Sequence, residues 1–225
     1  MLHHQRKVIE GLVGPIEVAL DWPQQLDGTP RTRVAFIGHP HPLYGGTLDN
    51  KVAATLARAI AGCGWLAVRP NFRGVGGTAG EHDEGVGETE DFLHVIDTVH
   101  AWSGLPVADA PRALAGFSFG SFIAAQTAAA LAARGTAPSH LILVGAAAGK
   151  WPLPPAAVPP LVIHGELDET IALTAVFDWA RPQDIPVIVM PGADHFFHRR
   201  LGILKKLVVD HLGHQPAAVA RAVAA

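Results

Sequence analysis

Cysteine is nearly absent from this chain of 225 residues, in which Cys63 stands alone. Without a second cysteine there is neither a disulfide framework nor a Cys-x-x-Cys metal pair. Residues 1–7 (Met-Leu-His-His-Gln-Arg-Lys) also lack the apolar stretch of a secretory signal. Both features favour the cytoplasm as the compartment of this protein.

Runs of basic residues and long apolar runs are missing too. Lysine and arginine together number 17 against 20 acidic residues, the net charge is −3, and no basic run exceeds two residues. A nucleic-acid partner is therefore not expected. No uninterrupted apolar segment reaches the roughly 18 residues of a membrane span, so a membrane partner is not expected either.

The residues that are present favour one α/β domain over 1–225. Hydrophobic residues make up 49% of the chain, enough to bury a sizeable core. Short apolar segments without alternation are each followed by a helical pattern, which predicts a mostly parallel sheet covered on both faces. The expected strands are 7–20 (one or two, antiparallel), 33–38, 65–68, 111–115, 140–144, 161–165 and 186–190. The expected helices are 49–61 with Asp49 as its N-cap, 88–102, 122–133, 171–180 and 196–212, while 215–225 shows no periodic pattern.

The segment Gly116-Phe117-Ser118-Phe119-Gly120 carries the strongest chemical signal. It lies between an expected strand and an Ala-rich helix, which is the context of a nucleophile elbow. Serine at such a bend is strained, and flanking glycines let strand and helix pack closely around it. The alternative is a Gly-Ser loop between two core elements. The pattern predicts that Ser118 is a catalytic nucleophile.

Two partners follow Ser118 in the order that a Ser–Asp–His triad requires. Asp168 and His195 each come just beyond the end of an expected strand. The histidine takes the serine proton during attack and returns it to the leaving group, and the aspartate orients the imidazole. Asp168 has local competitors in Glu166, Glu169 and Asp194, and a solvated loop acid is the other interpretation of this position.

Two further motifs carry a resemblance to a known family. Residues 38–46 read Gly-His-Pro-His-Pro-Leu-Tyr-Gly-Gly and are followed by Asp-Asn-Lys at 49–51. Residues 69–77 read Arg-Pro-Asn-Phe-Arg-Gly-Val-Gly-Gly and precede an acidic stretch. With the elbow, they resemble the α/β-hydrolase superfamily, and within it the small bacterial serine hydrolases of the esterase-like and dienelactone-hydrolase-like group. The resemblance implies a compact serine esterase-like fold with little or no lid. Dienelactone cleavage itself is disfavoured, because those relatives have cysteine at the elbow.

An oxyanion hole needs two donors. The elbow places one at the backbone N–H of Phe119. The second is expected in the loop after the first core strand, and aligning His39 with the loop histidine of relatives makes the backbone N–H of His41 the best candidate. Metal binding by His39 and His41 is the alternative for these two histidines. The candidates for an acyl pocket, each of which is also an ordinary core candidate, are Leu43, Tyr44, Phe117, Phe119 and Phe196.

The segment 146–160 occupies the position where relatives insert a lid. It is short and rich in proline and alanine, which predicts a stiff extended loop and an open site. A cover formed by another element, or by the second subunit of a homodimer, is the alternative.

The glycine-rich loop 71–77 has a glycine spacing that fits neither a P-loop nor a dinucleotide-binding turn. Arg73 there is expected to pair with Asp83 or Glu88, with a substrate carboxylate as the alternative.

These observations predict a serine hydrolase of α/β-hydrolase fold that cleaves small or short-acyl carboxylic esters through an acyl-enzyme. The expected partner is a small-molecule ester, with no metal and no other cofactor. An acyl-thioesterase is the alternative within the class. A non-catalytic binding protein that retains the fold is the alternative outside it.

Overall fold

A computed structural model describes residues 3–23, 33–102 and 112–213. Within these ranges the chain alternates strands and helices after an N-terminal hairpin. The strands are β1 (His3–Glu10), β2 (Pro15–Trp22), β3 (Val34–Gly38), β4 (Leu66–Pro70), β5 (Arg112–Phe117), β6 (His140–Val144), β7 (Pro160–Gly165) and β8 (Val187–Met190). The helices are α1 (Lys51–Gly62), α2 (Val86–Ala101), α3 (Phe119–Ala133), α4 (Leu173–Ala180) and α5 (Leu201–Gly213), with 3₁₀ turns at Pro42–Tyr44 and Arg181–Gln183.

One eight-stranded sheet organises these elements, in the order β1-β2-β4-β3-β5-β6-β7-β8. The β1–β2 and β2–β4 pairs are antiparallel, and all pairs from β4 to β8 are parallel. The chain order reverses direction around β3 and β5, and in such sheets ligands bind at the carboxyl ends of the strands near that reversal. The predicted α/β fold is confirmed.

Two apolar layers cover the sheet. On one face, α2, α3 and α4 contribute side chains such as Phe92, Ile123 and Val176. On the other face, α1 and α5 contribute side chains such as Leu56 and Val208. Successive residues of the central strands alternate between the two clusters, so each strand is buried on both sides. This explains why the strands appear in the sequence as unbroken apolar runs.

The ends of several elements differ from the expected ones for local reasons. Helix α1 is capped by Asn50, whose side chain accepts the N–H of Val52 at 2.9 Å, while Asp49 pairs with Arg6. Helix α5 begins at Leu201 and not at 196, because the turn before it contains Phe197 and Arg199 with positive φ. The stretch 215–225 lies outside the described residues.

Between β6 and β7 the chain forms no helix, so the predicted absence of a cap domain is confirmed. The loop is fastened to the body of the protein. Trp179 Nε1 donates to the carbonyl of Pro154 at 3.0 Å, and Ala156 N–H donates to Gln183 at 2.8 Å. In the described ranges, no helix combines the length and the apolar character that crossing a bilayer requires.

Three glycines set how closely α3 approaches the sheet. A Cβ at Gly116 would overlap the carbonyl oxygen of Gly120, and a Cβ at Gly120 would overlap the carbonyl of Gly38. Backbone atoms cannot yield as the end of a flexible side chain can. The first turn of α3 therefore lies against β3 and β5 only because no side chain separates them.

Gly116→Ala is expected to destabilise the protein by at least about 2 kcal/mol, because the added methyl group meets backbone. The midpoint of urea unfolding should fall, while the slope of the unfolding free energy against urea concentration should change little. Gly62→Ala is the matched control: nothing lies within 4 Å of a Cβ there, and a helical Gly→Ala change usually stabilises by about 0.4–1 kcal/mol. Equal midpoints for the two variants would contradict the packing argument.

Candidate active site

Ser118 occupies the strained turn between β5 and α3. Its φ of 55° and ψ of −123° are unusual for a residue with a side chain and cost of order 1–3 kcal/mol. Two sets of hydrogen bonds hold it there. The N–H of Ser118 donates to the carbonyl of Val144 at 2.9 Å, and the carbonyl of Ser118 accepts the N–H of Ser121 at 2.8 Å and its hydroxyl at 2.6 Å. The turn is therefore fixed from both sides.

A chain of side-chain hydrogen bonds leads away from this serine. Ser118 Oγ lies 3.0 Å from Nε2 of His195, and Nδ1 of His195 lies 2.7 Å from Oδ2 of Asp168. All three residues are buried. An ionised aspartate accepts only, so Nδ1 carries the imidazole proton and Nε2 is left to face the serine hydroxyl. The three residues predicted from the sequence thus lie together at the carboxyl ends of β5, β7 and β8.

Asp168 is held as an anion by its neighbours. Its Oδ1 accepts the N–H groups of Thr170 at 2.9 Å and Ile171 at 2.8 Å. Burial alone would raise the pKa of the Asp168 carboxyl, but the hydrogen bonds from His195 and Ile171 outweigh it and keep the pKa below its usual value. Since one oxygen is occupied by backbone donors, the other is directed at His195.

A second histidine, which the sequence analysis did not single out, lies behind this carboxylate. His164 is fully buried; its Nε2 donates to the carbonyl of Ile171 at 2.9 Å and is 3.4 Å from Oδ2 of Asp168. Burial lowers the pKa of His164 and keeps the ring neutral. Its position directly before the Gly that ends β7 is the sequence signal for it, because a polar residue in a buried strand needs a partner.

The acids that competed with Asp168 bond elsewhere. Glu166 accepts the N–H of Gly192 at 2.8 Å, at the surface. Asp194 accepts both the N–H and the Nδ1 group of His198, at 3.0 and 2.6 Å. Glu169 is exposed. Of the four local acids, Asp168 is the one that meets His195.

The loop after β3 is organised by His39. Its Nε2 accepts the N–H of Phe72 at 2.9 Å, so the ring proton is on Nδ1, which donates to the carbonyl of Pro40 at 2.6 Å. Burial lowers the pKa of His39 to about 3, and the ring stays neutral. With both nitrogens bonded to backbone, His39 offers none to a metal, which argues against the metal alternative for His39 and His41.

The two oxyanion candidates lie at the same edge as Ser118. Phe119 is the first residue of α3, where a backbone N–H has no acceptor within the helix. In the loop after β3, the N–H of Leu43 donates to the His41 ring and that of Tyr44 to the His41 carbonyl. The N–H groups of Leu43 and Tyr44, which could otherwise serve as the second oxyanion donor, are thus already engaged in the turn. The oxyanion roles of Phe119 and His41 stay predictions.

A cleft of about 280 Å³ opens at Ser118. The loops after β3, β5, β6 and β7 line it. Its main side chains are His41, Tyr44, Phe119, Lys150, Trp151 and Ile171. Of the five pocket candidates, Tyr44 and Phe119 line this cleft. Trp151 was missed, although a single large aromatic in a Pro- and Ala-rich segment beside the site was a usable signal.

The other pocket candidates need correction. Phe117 is fully buried and supports the His195 ring from behind, with centroids 4.9 Å apart, because it is the last residue of the central strand β5 and points into the core. Phe196 lines a separate surface depression with Lys51 and Arg199. Leu43 is 69% exposed and lies outside the lining of the cleft.

Arg73 also has a different main partner from those expected. Its guanidinium bonds to both oxygens of Asp91, at 2.8 and 3.0 Å, with Asp83 farther away at 3.6 Å. Glu88 instead accepts Nδ1 of His82 at 2.7 Å and the N–H of Gly85 at 2.8 Å. Arg73 is buried against α2 and does not line the cleft, which leaves the substrate-carboxylate alternative without support.

The sheet order, with a strained serine turn after its central strand, defines the α/β-hydrolase class of fold, and comparisons with known proteins agree. A family model of the thioesterase domain matches residues 82–155. XC6422 from Xanthomonas campestris, an α/β serine hydrolase without a lid, is 36% identical with a TM-score of 0.84 over 96% of each chain. An α/β serine hydrolase homologue from Coxiella burnetii is 38% identical, with a TM-score of 0.78 over 94% of this chain and 98% of its own. The uncharacterized protein RP471 of Rickettsia prowazekii is 31% identical over 197 residues, 82% of this chain and 80% of the relative.

The chain belongs to the α/β-hydrolase superfamily, among its small serine hydrolases without a lid. The comparisons with serine hydrolases and with the thioesterase domain support hydrolase activity in general.

Asp168→Asn is expected to lower kcat for hydrolysis by about three to four orders of magnitude, because the amide no longer fixes the Nδ1–H tautomer of His195. Glu166→Gln and Glu169→Gln, which change the same functional group nearby, should stay within about threefold of the parent. Steady-state kinetics on one activated ester measure all three. A crippled Glu166→Gln variant beside a mild Asp168→Asn variant would show that the acid is misassigned.

Proposed function

We propose that the protein is a serine hydrolase that cleaves carboxylic esters of small or short-acyl substrates through an acyl-enzyme. The observation that carries the proposal is the hydrogen-bonded series from Ser118 Oγ through His195 to Asp168, at 3.0 and 2.7 Å, beside an open cleft. A nucleophile, a base within reach of it and a group that orients the base are the elements such catalysis requires.

In the first half-reaction Ser118 Oγ attacks the ester carbonyl carbon while Nε2 of His195 takes the hydroxyl proton. The tetrahedral oxyanion is stabilised by the backbone N–H groups of Phe119 and His41 and by the N-terminus of α3. Collapse breaks the bond to the leaving oxygen, which receives the proton from Nε2. Asp168 stabilises the transient imidazolium without taking its proton.

In the second half-reaction water replaces the alcohol. Nε2 of His195 removes a proton from the water as its oxygen attacks the acyl carbon. The same N–H groups stabilise the second oxyanion. When this intermediate collapses, Ser118 Oγ leaves with the proton from Nε2 and the free acid departs. Apart from the ester and the water, every group that acts in these two steps belongs to the chain.

The limited extent of the cleft supports small or short acyl groups. About 280 Å³ is at the low end of the volumes that ligand pockets usually occupy. The loop 145–159 carries no helix that would extend an apolar cover over the site. A long acyl chain would therefore leave most of its methylenes in water.

An acyl-thioesterase is the second candidate, and the match of residues 82–155 to the thioesterase-domain model favours it. The same nucleophile and base serve both reactions, since only the leaving atom differs. Matched oxygen and sulfur esters of one acyl group separate the two, with each rate divided by its rate of alkaline hydrolysis. If the rate for the thioester, after this correction, exceeds that for the oxygen ester by more than about tenfold, the thioesterase is favoured.

Ser118→Ala is expected to abolish covalent labelling by a fluorophosphonate and to lower ester turnover by several orders of magnitude. Thermal stability should persist or rise because a strained, functional position is relaxed. Ser139→Ala is the matched control: its hydroxyl bonds to the carbonyl of Arg112, in a different part of the fold, so labelling should continue. Undiminished turnover by pure Ser118→Ala protein would refute the mechanism. No turnover by the parent would favour a binding protein.

The acyl-length profile should peak early. Each buried methylene adds about 0.8 kcal/mol, roughly fourfold in specificity, and an open cleft forfeits that gain once it is filled. We expect kcat/KM for p-nitrophenyl esters to be highest for short acyl groups and then flatten or fall, with no activation at micelles. A continuous rise to long chains would show that the site is covered in solution.

A further inference from the structure

The cleft at Ser118 has an aromatic wall whose rings take no part in the proposed proton transfers. It consists of the rings of His41, Tyr44, Phe119 and Trp151, all of which line the cleft. The Trp151 ring lies 4.9 Å from Phe119 and 5.5 Å from His41, centroid to centroid. Tyr44 extends the wall at 4.7 Å from His41 and is 86% exposed. A planar group entering the cleft would meet π-faces and ring edges.

Trp151 is held in place from behind. Its ring stacks on Phe122 at 5.4 Å with an interplanar angle of 23°. The backbone N–H of Trp151 donates to the carbonyl of Ala147 at 3.0 Å, and the backbone N–H of Ala147 donates to Ser121 Oγ at 3.0 Å. The loop that carries Trp151 is thus hydrogen-bonded to Ser121, the same residue that holds the turn at Ser118. Because the ring is already ordered, little conformational freedom is lost when a ligand contacts it.

His41 is held by a second support. The ring of His82 lies 4.6 Å from that of His41, and Nδ1 of His82 is bonded to the fully buried Glu88 at 2.7 Å. Burial, followed by the nearby His82, lowers the pKa of His41. The His41 ring is therefore neutral at pH 7, and it packs against the rings of Tyr44, Phe119 and Trp151.

The cleft lies on the acyl side of the reaction. His195 must reach the leaving oxygen to protonate it, and His195 is not among the residues that line the cleft. The two residues proposed to bind the carbonyl oxygen, Phe119 and His41, do line it. Since the leaving oxygen must lie next to His195, the cleft that His195 does not line is the space open to the acyl substituent, beside Trp151.

We propose that the acyl group of the substrate is a planar aromatic ring close to the carbonyl, and that Trp151 is the residue that selects it. This inference rests on the proposed ester hydrolysis for its orientation in the site. Contacts between aromatic rings stabilise a complex more than the buried area alone would. The extra stabilisation corresponds to about a three- to tenfold higher kcat/KM for the aromatic substrate. A single ring also suits a cleft of about 280 Å³ better than an extended chain does.

The kinetic test uses two p-nitrophenyl esters of equal carbon number, the benzoate and the cyclohexanecarboxylate, with each kcat/KM divided by the rate of alkaline hydrolysis. The parent protein should prefer benzoate by about three- to tenfold. Trp151→Leu should bring the ratio close to one, and Trp151→Phe should retain part of it. Trp102→Leu is the control for loss of a tryptophan, since that ring contacts Lys7 and does not line the cleft.

A binding arm separates this inference from the proposed function. Ser118→Ala protein is titrated with benzamide and with cyclohexanecarboxamide, neutral probes that undergo no turnover, and dissociation constants are measured by NMR line shifts. Tighter benzamide binding that disappears in Ser118→Ala/Trp151→Leu supports the aromatic subsite even if no ester is hydrolysed. Equal binding of both probes, or a benzoate ratio that Trp151→Leu leaves unchanged, overturns it. If benzamide binds selectively but no ester is turned over at Ser118, the hydrolase proposal is refuted and the aromatic subsite stands.

Discussion

The site depends on one strained backbone position, Ser118 at a φ of 55°. The strain of about 1–3 kcal/mol is offset by the hydrogen bond to Val144 on the neighbouring strand and by both donors of Ser121. The same Ser121 hydroxyl accepts the amide of Ala147, so the turn and the loop that carries Trp151 share one fastening point. Close packing around Gly120 completes the arrangement, because any side chain there would push α3 away from the sheet.

Burial and hydrogen bonding decide which of the buried titratable side chains around the site are charged. Burial lowers the pKa of His39 to about 3 and also lowers that of His164, so both stay neutral and serve as backbone clamps. Asp168, although also buried, keeps its charge because two amides and His195 donate to it. A single stabilised anion beside one imidazole is what proton transfer to and from a serine requires. The neutral histidines hold the loops on either side of that pair.

The missing lid has a structural consequence for the cleft. In place of a cap domain, residues 145–159 form a loop that Trp179 and Gln183 hold against the body of the protein. That loop leaves the site open, yet it brings Trp151 against Phe119 and Phe122 in the cleft. A short insertion therefore restricts the shape of the site through one ring, where a larger relative would use a separate helical layer.

Sequence reasoning recovered the elements that have a strong local signal. Apolar runs predicted the parallel strands, because strands buried on both faces need apolar residues at every position. The bend at Ser118 was visible because its flanking glycines meet a steric demand. Element ends were less accurate: the cap of α1 shifted from Asp49 to Asn50, since Asp49 bonds to the distant Arg6. Local propensity cannot foresee such a long-range partner.

By itself the sequence determined the fold, the order of Ser118, Asp168 and His195 along the chain, and the absence of room for a cap. Only the tertiary structure decided which residues face the cleft. Phe117 and Tyr44 are both aromatic residues close to a motif, but one ends a buried strand and the other lies on an exposed turn. The pairing of Arg73 with Asp91, and the positions of His164 and Trp151, likewise depend on how separate elements pack. Contacts between residues far apart in the chain arise from the whole core, and no local pattern encodes them.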